Sequence, residues 1–337
     1  MKYVTLGKTG LRASWVSFGG IPIQRGDAAN TAAVVDTLEE KGVNYIDTAR
    51  GYTVSEEYLG KALEGRRDKF ILATKSMSRT REAMAADVEK SLVSLRTGHI
   101  DLYQFHNLPL KDFDQVFGPG GAWQALDEAR QAGKVGHIGA TAHSLDALRK
   151  LVEDYSHRIE TVMFPYNIVE RQGREVLALA REKGLGTIAM KPLAGGNLED
   201  CRLAMRFIAA DGVCDIAIPG MGSPEEALQD IAAGEDLSPL TPEELARCEA
   251  IRRELGGHFC RRCGYCAPCT VGIDIPGCFT MLNYLKKYGL ADWAKGRYGA
   301  MAHKADECVR CGACEARCPY ELPIRKLLEE TAAAFAG

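Results

Sequence analysis

The stretch FILATKSMSRTREAMAADVEKSLVSL, residues 70–95, decides how most of this chain is read. It opens on a short apolar run, FILAT, passes through a polar loop, and continues as a longer amphipathic segment, REAMAADVEKSLVSL. A short run rich in apolar and β-branched residues reads as a buried strand, and the longer periodic segment reads as a helix. The same unit recurs along the chain. Its strands are SWVSFG (14–19), NYIDT (44–48), FILAT (70–74), DLYQFH (101–106), VGHIGAT (135–141), TVMFPYN (161–167), GTIAMK (186–191) and CDIAIPG (214–220). Helical stretches such as TAAVVDTLEEKG and GREVLALAREKG lie between them. Near-continuous apolar strands belong to a sheet covered on both faces. Eight strand–helix units in roughly 250 residues predict a (β/α)8 TIM barrel. A doubly wound open sheet is the alternative, and no G-x-G-x-x-G follows the first strand to favour it.

The chain has 337 residues, enough for one large domain and a small one. The expected division is a barrel over residues 1–240, a connecting helix over 241–257 and a small α-helical ferredoxin-like domain over 258–337. TPEELARCEAIRRELGG begins that connecting helix with an N-cap threonine, a first-turn proline and a glutamate three residues on. A formal net charge of −3 gives no field to attract nucleic acid or an anionic membrane. No apolar stretch approaches the roughly 20 residues that a membrane span needs. MKYVTLGKTG lacks the apolar core of a signal peptide, so a cytoplasmic location is expected. Twelve cysteines in a reducing compartment suggest metal or redox chemistry rather than disulfides. Cys201, Cys214 and Cys248 are isolated and read as small buried apolar residues.

In a barrel, catalytic groups sit at the C-terminal ends of the strands. Asp47 closes the second strand, with Tyr52 in the loop behind it; Lys75 closes the third and His106 the fourth. A lone histidine or lysine at a strand end is usually a satisfied structural group. Four titratable groups converging from three neighbouring strands form a candidate site. A tyrosine of ordinary pKa near ~10 is a poor acid, and an adjacent ammonium lowers that value. Aspartate fixes the ammonium, and a neutral histidine can donate to a substrate carbonyl. The set is a proton donor and an oxyanion site facing one carbonyl carbon.

YVTLGKTGLRASWVSFGG, NYIDTARGY, FILATKS and DLYQFHN resemble the strand signatures of aldo-keto reductases over residues 1–229. The resemblance implies that Tyr52 is the general acid–base, that Lys75 and Asp47 tune it, and that His106 orients the carbonyl. It also implies NADPH, or occasionally NADH, extended across the barrel mouth, with hydride passing to an aldehyde or ketone without a metal. The cofactor positions depart from the family. Thr141, Ala142 and His143 stand where a Ser-Asn pair is usual, and Met163 replaces a glutamine ahead of Tyr166 and Asn167. Lys191, Pro192 and Leu193 resemble the loop that covers the pyrophosphate, and Gly20 completes the strand-end set. Gly220, Met221, Gly222 and Ser223 keep the turn after the eighth strand. Glu226 and Asp230 stand where relatives have Gln and Asn near the adenosine, and that segment holds no Lys or Arg for a 2′-phosphate. Ser223, Pro224 and Glu226 also read simply as a helix start. Weak NADPH binding follows, with NADH or a flavin (FMN) as the electron source.

The last quarter carries two cysteine runs. CRRCGYCAPC supplies Cys260, Cys263, Cys266 and Cys269; CVRCGACEARCP supplies Cys308, Cys311, Cys314 and Cys318. The second has the C-x₂-C-x₂-C-x₃-C-P spacing of bacterial ferredoxins, whose fourth cysteine ligates the other cluster. Thr270 stands where the first run would usually have proline. Structural zinc is the plainer alternative, but triple C-x₂-C runs ending in C-P favour two [4Fe–4S] clusters. Cys278 is a ninth cysteine, a spare or a substitute ligand. Barrel and tail together resemble ferredoxin-fused aldo-keto reductases. The expected substrate is a small carbonyl-type molecule, with ferredoxin or another one-electron carrier as partner. An electron-transfer adaptor or a redox sensor with an idle barrel remains a competing reading, and the intact tetrad favours the enzyme.

Overall fold

The computed structural model describes residues 1–336, which form two compact units. The first comprises Met1–Leu193 and Glu199–Leu240, and the second Ala194–Leu198 together with the chain from Thr241 onward. Each is described in turn.

The first unit opens with a two-stranded antiparallel hairpin, β1 (Tyr3–Thr5) and β2 (Arg12–Ser14). Eight parallel strands follow: β3 (Phe18–Gly19), β4 (Tyr45–Asp47), β5 (Ile71–Ser76), β6 (Ile100–Phe105), β7 (Val135–Thr141), β8 (Thr161–Pro165), β9 (Gly186–Met190) and β10 (Ile216–Ile218). Each pairs with its neighbour in chain order. The ring closes through parallel bridges, Val16 with Ala217 and Gly19 with Gly220. The strictly sequential order and the closure are those of a TIM barrel and rule out a doubly wound sheet. All eight expected strands are present, and the first and last are shorter than their apolar runs.

Helices α1 (Ala28–Glu40), α2 (Ser55–Ala62), α3 (Arg81–Ser94), α4 (Phe113–Phe117), α5 (Ala122–Gln131), α6 (Leu145–Asp154), α7 (Arg174–Glu182), α8 (Cys201–Asp211) and α9 (Pro224–Ala233) connect the strands. Several begin on side-chain caps: Asp27 accepts from Asn30 N, Thr80 from Ala83 N, Ser144 from Ala147 N and Ser223 from Glu226 N. Each cap satisfies an amide that the first helical turn leaves unpaired.

Alternate residues of the strands point inward. Tyr45, Ala73, Leu102, Met163, Ile188 and Ile216 pack in one cluster with Leu6 from the hairpin. Leu6 is fully buried, which contributes roughly 1.5–3 kcal/mol. The turn after it lies tight against the start of β9: Lys8 N donates to Gly184 O at 2.7 Å. Gly7 has φ +51°, and a Cβ there would fall 2.2 Å from Gly186 N, so only glycine fits.

The second unit holds α10 (Pro242–Gly256), α11 (Ile275–Lys286), α12 (Ala291–Gly299), α13 (Ala313–Ala316) and α14 (Ile324–Phe335), with no strand among its described residues. Thr241 and Glu244 close a full capping box at the start of α10. The core gathers Ile273, Ile275, Tyr298, Leu322 and Leu328 around several cysteines. Tyr298 stacks on Phe335 at 4.0 Å. Segment Ala194–Leu198 belongs here because Asn283 donates to Gly195 O (3.3 Å) and accepts from Asn197 (3.5 Å). Among the described residues no helix is long and apolar enough to cross a membrane.

Candidate functional site

Asp47, Lys75 and His106 come from three adjacent strands. Asp47 ends β4 and pairs in register with Ala73; Lys75 of β5 pairs with Gln104 of β6, and His106 follows β6 directly. Side chains of period two turn Asp47, Lys75 and Gln104 to the same face, the barrel interior. Lys75 Nζ donates to Asp47 Oδ2 at 2.5 Å and to the Thr48 carbonyl at 2.6 Å. Gln104 Nε2 donates to the other Asp47 oxygen at 3.3 Å. Asp47 and Lys75 are each 2% exposed. Burial pushes the Asp47 carboxyl above its ordinary range and the Lys75 ammonium below its own, while their mutual contact opposes both shifts.

Tyr52 stands over this pair. Lys75 Nζ is 4.9 Å from the centroid of its ring. His106 meets the same ring edge-on, with centroids 5.7 Å apart and planes at 87°. Tyr52 and His106 are half-buried, so the pair beneath is dry and the rings above are accessible. The loop carrying Tyr52 is fastened at several points. Arg50 N donates to Lys75 O and Tyr52 N to Ala49 O. The Arg50 guanidinium pairs with buried Glu56, which also accepts from Thr74 (2.7 Å) and Ser91 (2.8 Å). Thr53 adopts φ +42°, a left-handed backbone that few β-branched residues tolerate, immediately after the tyrosine. The arrangement can deliver a proton from Tyr52 and hold an oxyanion near His106, with Lys75 adding positive charge behind.

The residues singled out for a cofactor are more dispersed. Gly20 N donates to Asp47 O, and a Cβ at Gly20 would fall 2.6 Å from that oxygen, so its glycine permits the backbones to approach. Thr141 is buried and its hydroxyl accepts from Asn107 N at 2.7 Å; His143 Nδ1 lies 2.9 Å from Asn107 Oδ1. Tyr166 is fully buried: its hydroxyl donates to Asp211, its ring stacks on Phe207, and burial with the Asp211 charge holds its pKa high. Asn167 is also buried and donates to Glu170 and to Lys191 O, both at 3.0 Å. Lys191 has φ +55°, Pro192 is buried and Leu193 half-buried. Gly220 and buried Met221 lead to Gly222, whose amide donates to Glu226 Oε2 at 2.6 Å, and then to the Ser223 cap. Asp230 is buried and turned into the protein; burial first, then the Glu226 charge, pushes its pKa up to about 7.

Arg25 was missed by sequence reasoning. It pairs with Glu226 and passes so close to Gly222 that a Cβ there would fall 2.0 Å from its guanidinium. No cation lies in GMGSPEEALQD, but ring closure sets the loop after β3 beside the loop after β10 and supplies one from 201 residues away. Gln104 was missed too; its place two residues before His106 was the available signal. Arg25 and the N-terminus of α9 together put positive charge beside the Gly220–Ser223 turn, with Glu226 as their present partner. Thr141, Tyr166 and Asn167 already spend their polar atoms on protein partners.

In the second unit the eight motif cysteines divide into two sets. Cys260, Cys263, Cys266 and Cys318 line one cavity, and Cys269, Cys308, Cys311 and Cys314 line another. Each run gives three cysteines to its own cavity and the fourth to the other, the crossed arrangement that the ferredoxin spacing implies. The runs also share a backbone pattern: Arg262 and Arg310 have φ +58° and +56°, and Gly264 and Gly312 have φ +85° and +77°. These left-handed pairs turn each loop around its cavity, and Arg262 N donates to Cys260 Sγ at 3.4 Å. Two separate cavities with four thiols apiece fit iron–sulfur cubes. Cys278 lines neither; it is fully buried in the core between α11 and its neighbours, and burial pushes its thiol up to about 12.

Residues 14–202 match the model of the aldo/keto reductase family, and residues 259–323 match a 4Fe-4S dicluster domain. An uncharacterized oxidoreductase of Bacillus subtilis, YqkF, is 27% identical over 275 residues, covering 76% of this chain and 87% of that protein. The L-galactose dehydrogenase of Arabidopsis thaliana is 26% identical over 297 residues, 73% of this chain and 92% of that enzyme. The solved structure of an aldo-keto reductase from Bacillus halodurans, in its holo form, superposes with a TM-score of 0.64 at 26% identity, over 74% of this chain and 96% of that one.

Proposed function

The chain belongs to the aldo/keto reductase family, and on that premise we propose that this oxidoreductase interconverts a small carbonyl compound and its alcohol by acid–base chemistry at Tyr52, exchanging electrons through two [4Fe–4S] clusters. The observation that carries the first part is the buried Lys75–Asp47 contact at 2.5 Å beneath a half-exposed Tyr52 that also faces His106. Tyr52 gives its proton to the carbonyl oxygen. Lys75 stabilises the phenolate left behind, because its charge lies beneath the ring where water is excluded. Asp47, steadied by Gln104, keeps Lys75 in place. His106 orients the substrate oxygen. A bound nicotinamide supplies or accepts the hydride. Arg25 and the start of α9 would lie by the phosphates of that dinucleotide, and NADH would be preferred to NADPH while Glu226 keeps Arg25 engaged.

The second part rests on the crossed cysteine sets: Cys260, Cys263, Cys266 and Cys318 hold one cluster, and Cys269, Cys308, Cys311 and Cys314 the other. Such clusters move single electrons, so linking them to hydride chemistry would take a flavin or a substrate that accepts electrons singly. The partner is accordingly a one-electron carrier of the ferredoxin kind.

The test is one anaerobic preparation carried through three measurements: iron and sulfide content, binding of NADH, NADPH and FMN by calorimetry, and turnover of aldehydes and ketones with the dinucleotide that binds. About eight iron and eight sulfide, with nicotinamide-linked turnover, are expected. Stoichiometric zinc without sulfide would sink the cluster reading, and FMN binding without dinucleotide binding would replace the nicotinamide.

A further inference from the structure

The two cysteine cavities differ in a way that the similar cysteine runs hide. Five residues lining the cavity of Cys269, Cys308, Cys311 and Cys314 are exposed: Thr270, Val309, Arg310, Cys311 and Arg317. Pro319 is the one exposed residue lining the cavity of Cys260, Cys263, Cys266 and Cys318. Of the twelve cysteines, Cys311 alone is exposed. Val309, beside it, leaves 60% of its surface in water.

Charge follows the same asymmetry. Arg310, Arg317 and Arg325 line the outer cavity, with Glu329 paired to Arg310 and Glu315 to Arg325 just outside it, and Arg261 alone lines the inner one. The outer cavity also has a side-chain partner for sulfur: Thr270 Oγ1 lies 3.4 Å from Cys311 Sγ. A thiolate bound to metal carries no proton, so the threonine hydroxyl is then the donor. Hydrogen bonds to ligating sulfur, nearby cations and access to water each stabilise the extra electron of a reduced cluster. All three act on the outer cavity, whereas the inner one, which is less open to water, has the backbone bond from Arg262 N to Cys260 Sγ and the single cation Arg261. Ile275, buried at the start of α11, is the one residue that lines both cavities.

We propose that the outer cavity is the port through which this chain exchanges single electrons with an acidic one-electron carrier protein, and that Thr270 and Arg310 tune it to the higher potential of the two. The proposal rests on reading both cavities as cluster sites. Each exchange moves one electron between the carrier and the cluster in the outer cavity; one is oxidised as the other is reduced, with no proton moved and no bond broken. The arginines draw the carrier's acidic face, and exposed Val309 and Cys311 let it approach closely. Electrons reach the inner cavity across Ile275.

Two measurements on the anaerobic full-length protein test this. The first is a potentiometric titration followed by electron paramagnetic resonance. Two midpoints are expected; Thr270→Val should lower the upper one and leave the lower, and Thr270→Ser, which keeps the hydroxyl, should restore it. A shift confined to the lower midpoint, or no shift, overturns the assignment of the port. The second is stopped-flow oxidation of the reduced protein by ferricyanide, a small anionic one-electron acceptor. Arg310→Glu should slow it about fivefold by reversing a charge at the point of contact, while Lys295→Glu on α12 should not. The Arg310–Glu329 pair that this variant breaks is exposed and contributes little to folding. Equal slowing by both variants, or by neither, overturns the proposal. Failure of the two-cluster reading itself is distinct: iron content near four and a single midpoint in the unmodified protein.

Discussion

Asp47 and Lys75 share a site from which water is excluded, and burying two charges costs more than most ion pairs return. Such a pair is poor evidence for stability and better evidence for chemistry, since its position under Tyr52 gives the charge a use. Asp230 is a different case. It is 4% exposed, and burial first, then the Glu226 charge, raise its pKa from 3.8 to about 7. A carboxyl whose folded value is raised binds its proton more tightly in the native state. Its stabilising effect is therefore complete below about pH 4 and is lost as pH rises through 7. Asp230→Asn should remove that loss: the variant should match the unmodified protein near pH 4 and exceed it by a few kcal/mol at pH 8. Thermal unfolding across that range measures it, and parallel curves for the two proteins would contradict it. Residues of this kind were only partly legible in the sequence. Asp47, Lys75, Tyr52 and His106 stand at strand ends, where a barrel gathers its chemistry. Arg25 had no local signal, because its partner Glu226 becomes a neighbour only when β3 meets β10.

At the level of elements, the eight barrel strands were readable because covered strands are apolar on both faces, and the helices because their caps are local. The N-terminal hairpin was not recognised as an element. Its strands have three residues each, β1 is largely exposed, and period-two alternation over so short a run carries little information. Its importance lies in one side chain. Leu6 enters the barrel floor among Ala73, Leu102 and Ile188, and Gly7 and Gly186 are small because the turn passes between them. Leu6→Ala should leave a cavity there and cost about 2–5 kcal/mol, seen as a lower Tm with the iron content and the visible absorbance of the protein unchanged. A Tm within a degree of the unmodified protein would mean that the hairpin merely decorates the floor.

The whole molecule joins two kinds of redox chemistry in one chain. Hydride transfer moves two electrons together, whereas iron–sulfur clusters move one at a time. The family match, over residues 14–202, covers seven of the eight barrel strands, β3 to β9, and the dicluster match covers both cysteine runs. The crossing of Cys318 was legible in the C-x₂-C-x₂-C-x₃-C-P spacing of the second run, whereas that of Cys269 was not, because it follows the same x₂ turn as the cysteines before it. The burial of Cys278 was not legible, since a buried thiol and a ligating one are the same residue in a sequence. The inequality of the two cavities was equally hidden, being a property of surface exposure. The central claim is that Tyr52 is the proton donor of a working barrel rather than a remnant beside an electron-transfer module. The most direct test is steady-state turnover of Tyr52→Phe on the best carbonyl substrate, with iron content and cluster midpoints measured on the same sample. The account predicts at least about a 10²-fold loss in kcat with iron, midpoints and dinucleotide affinity unchanged. Turnover near that of the unmodified protein would contradict it.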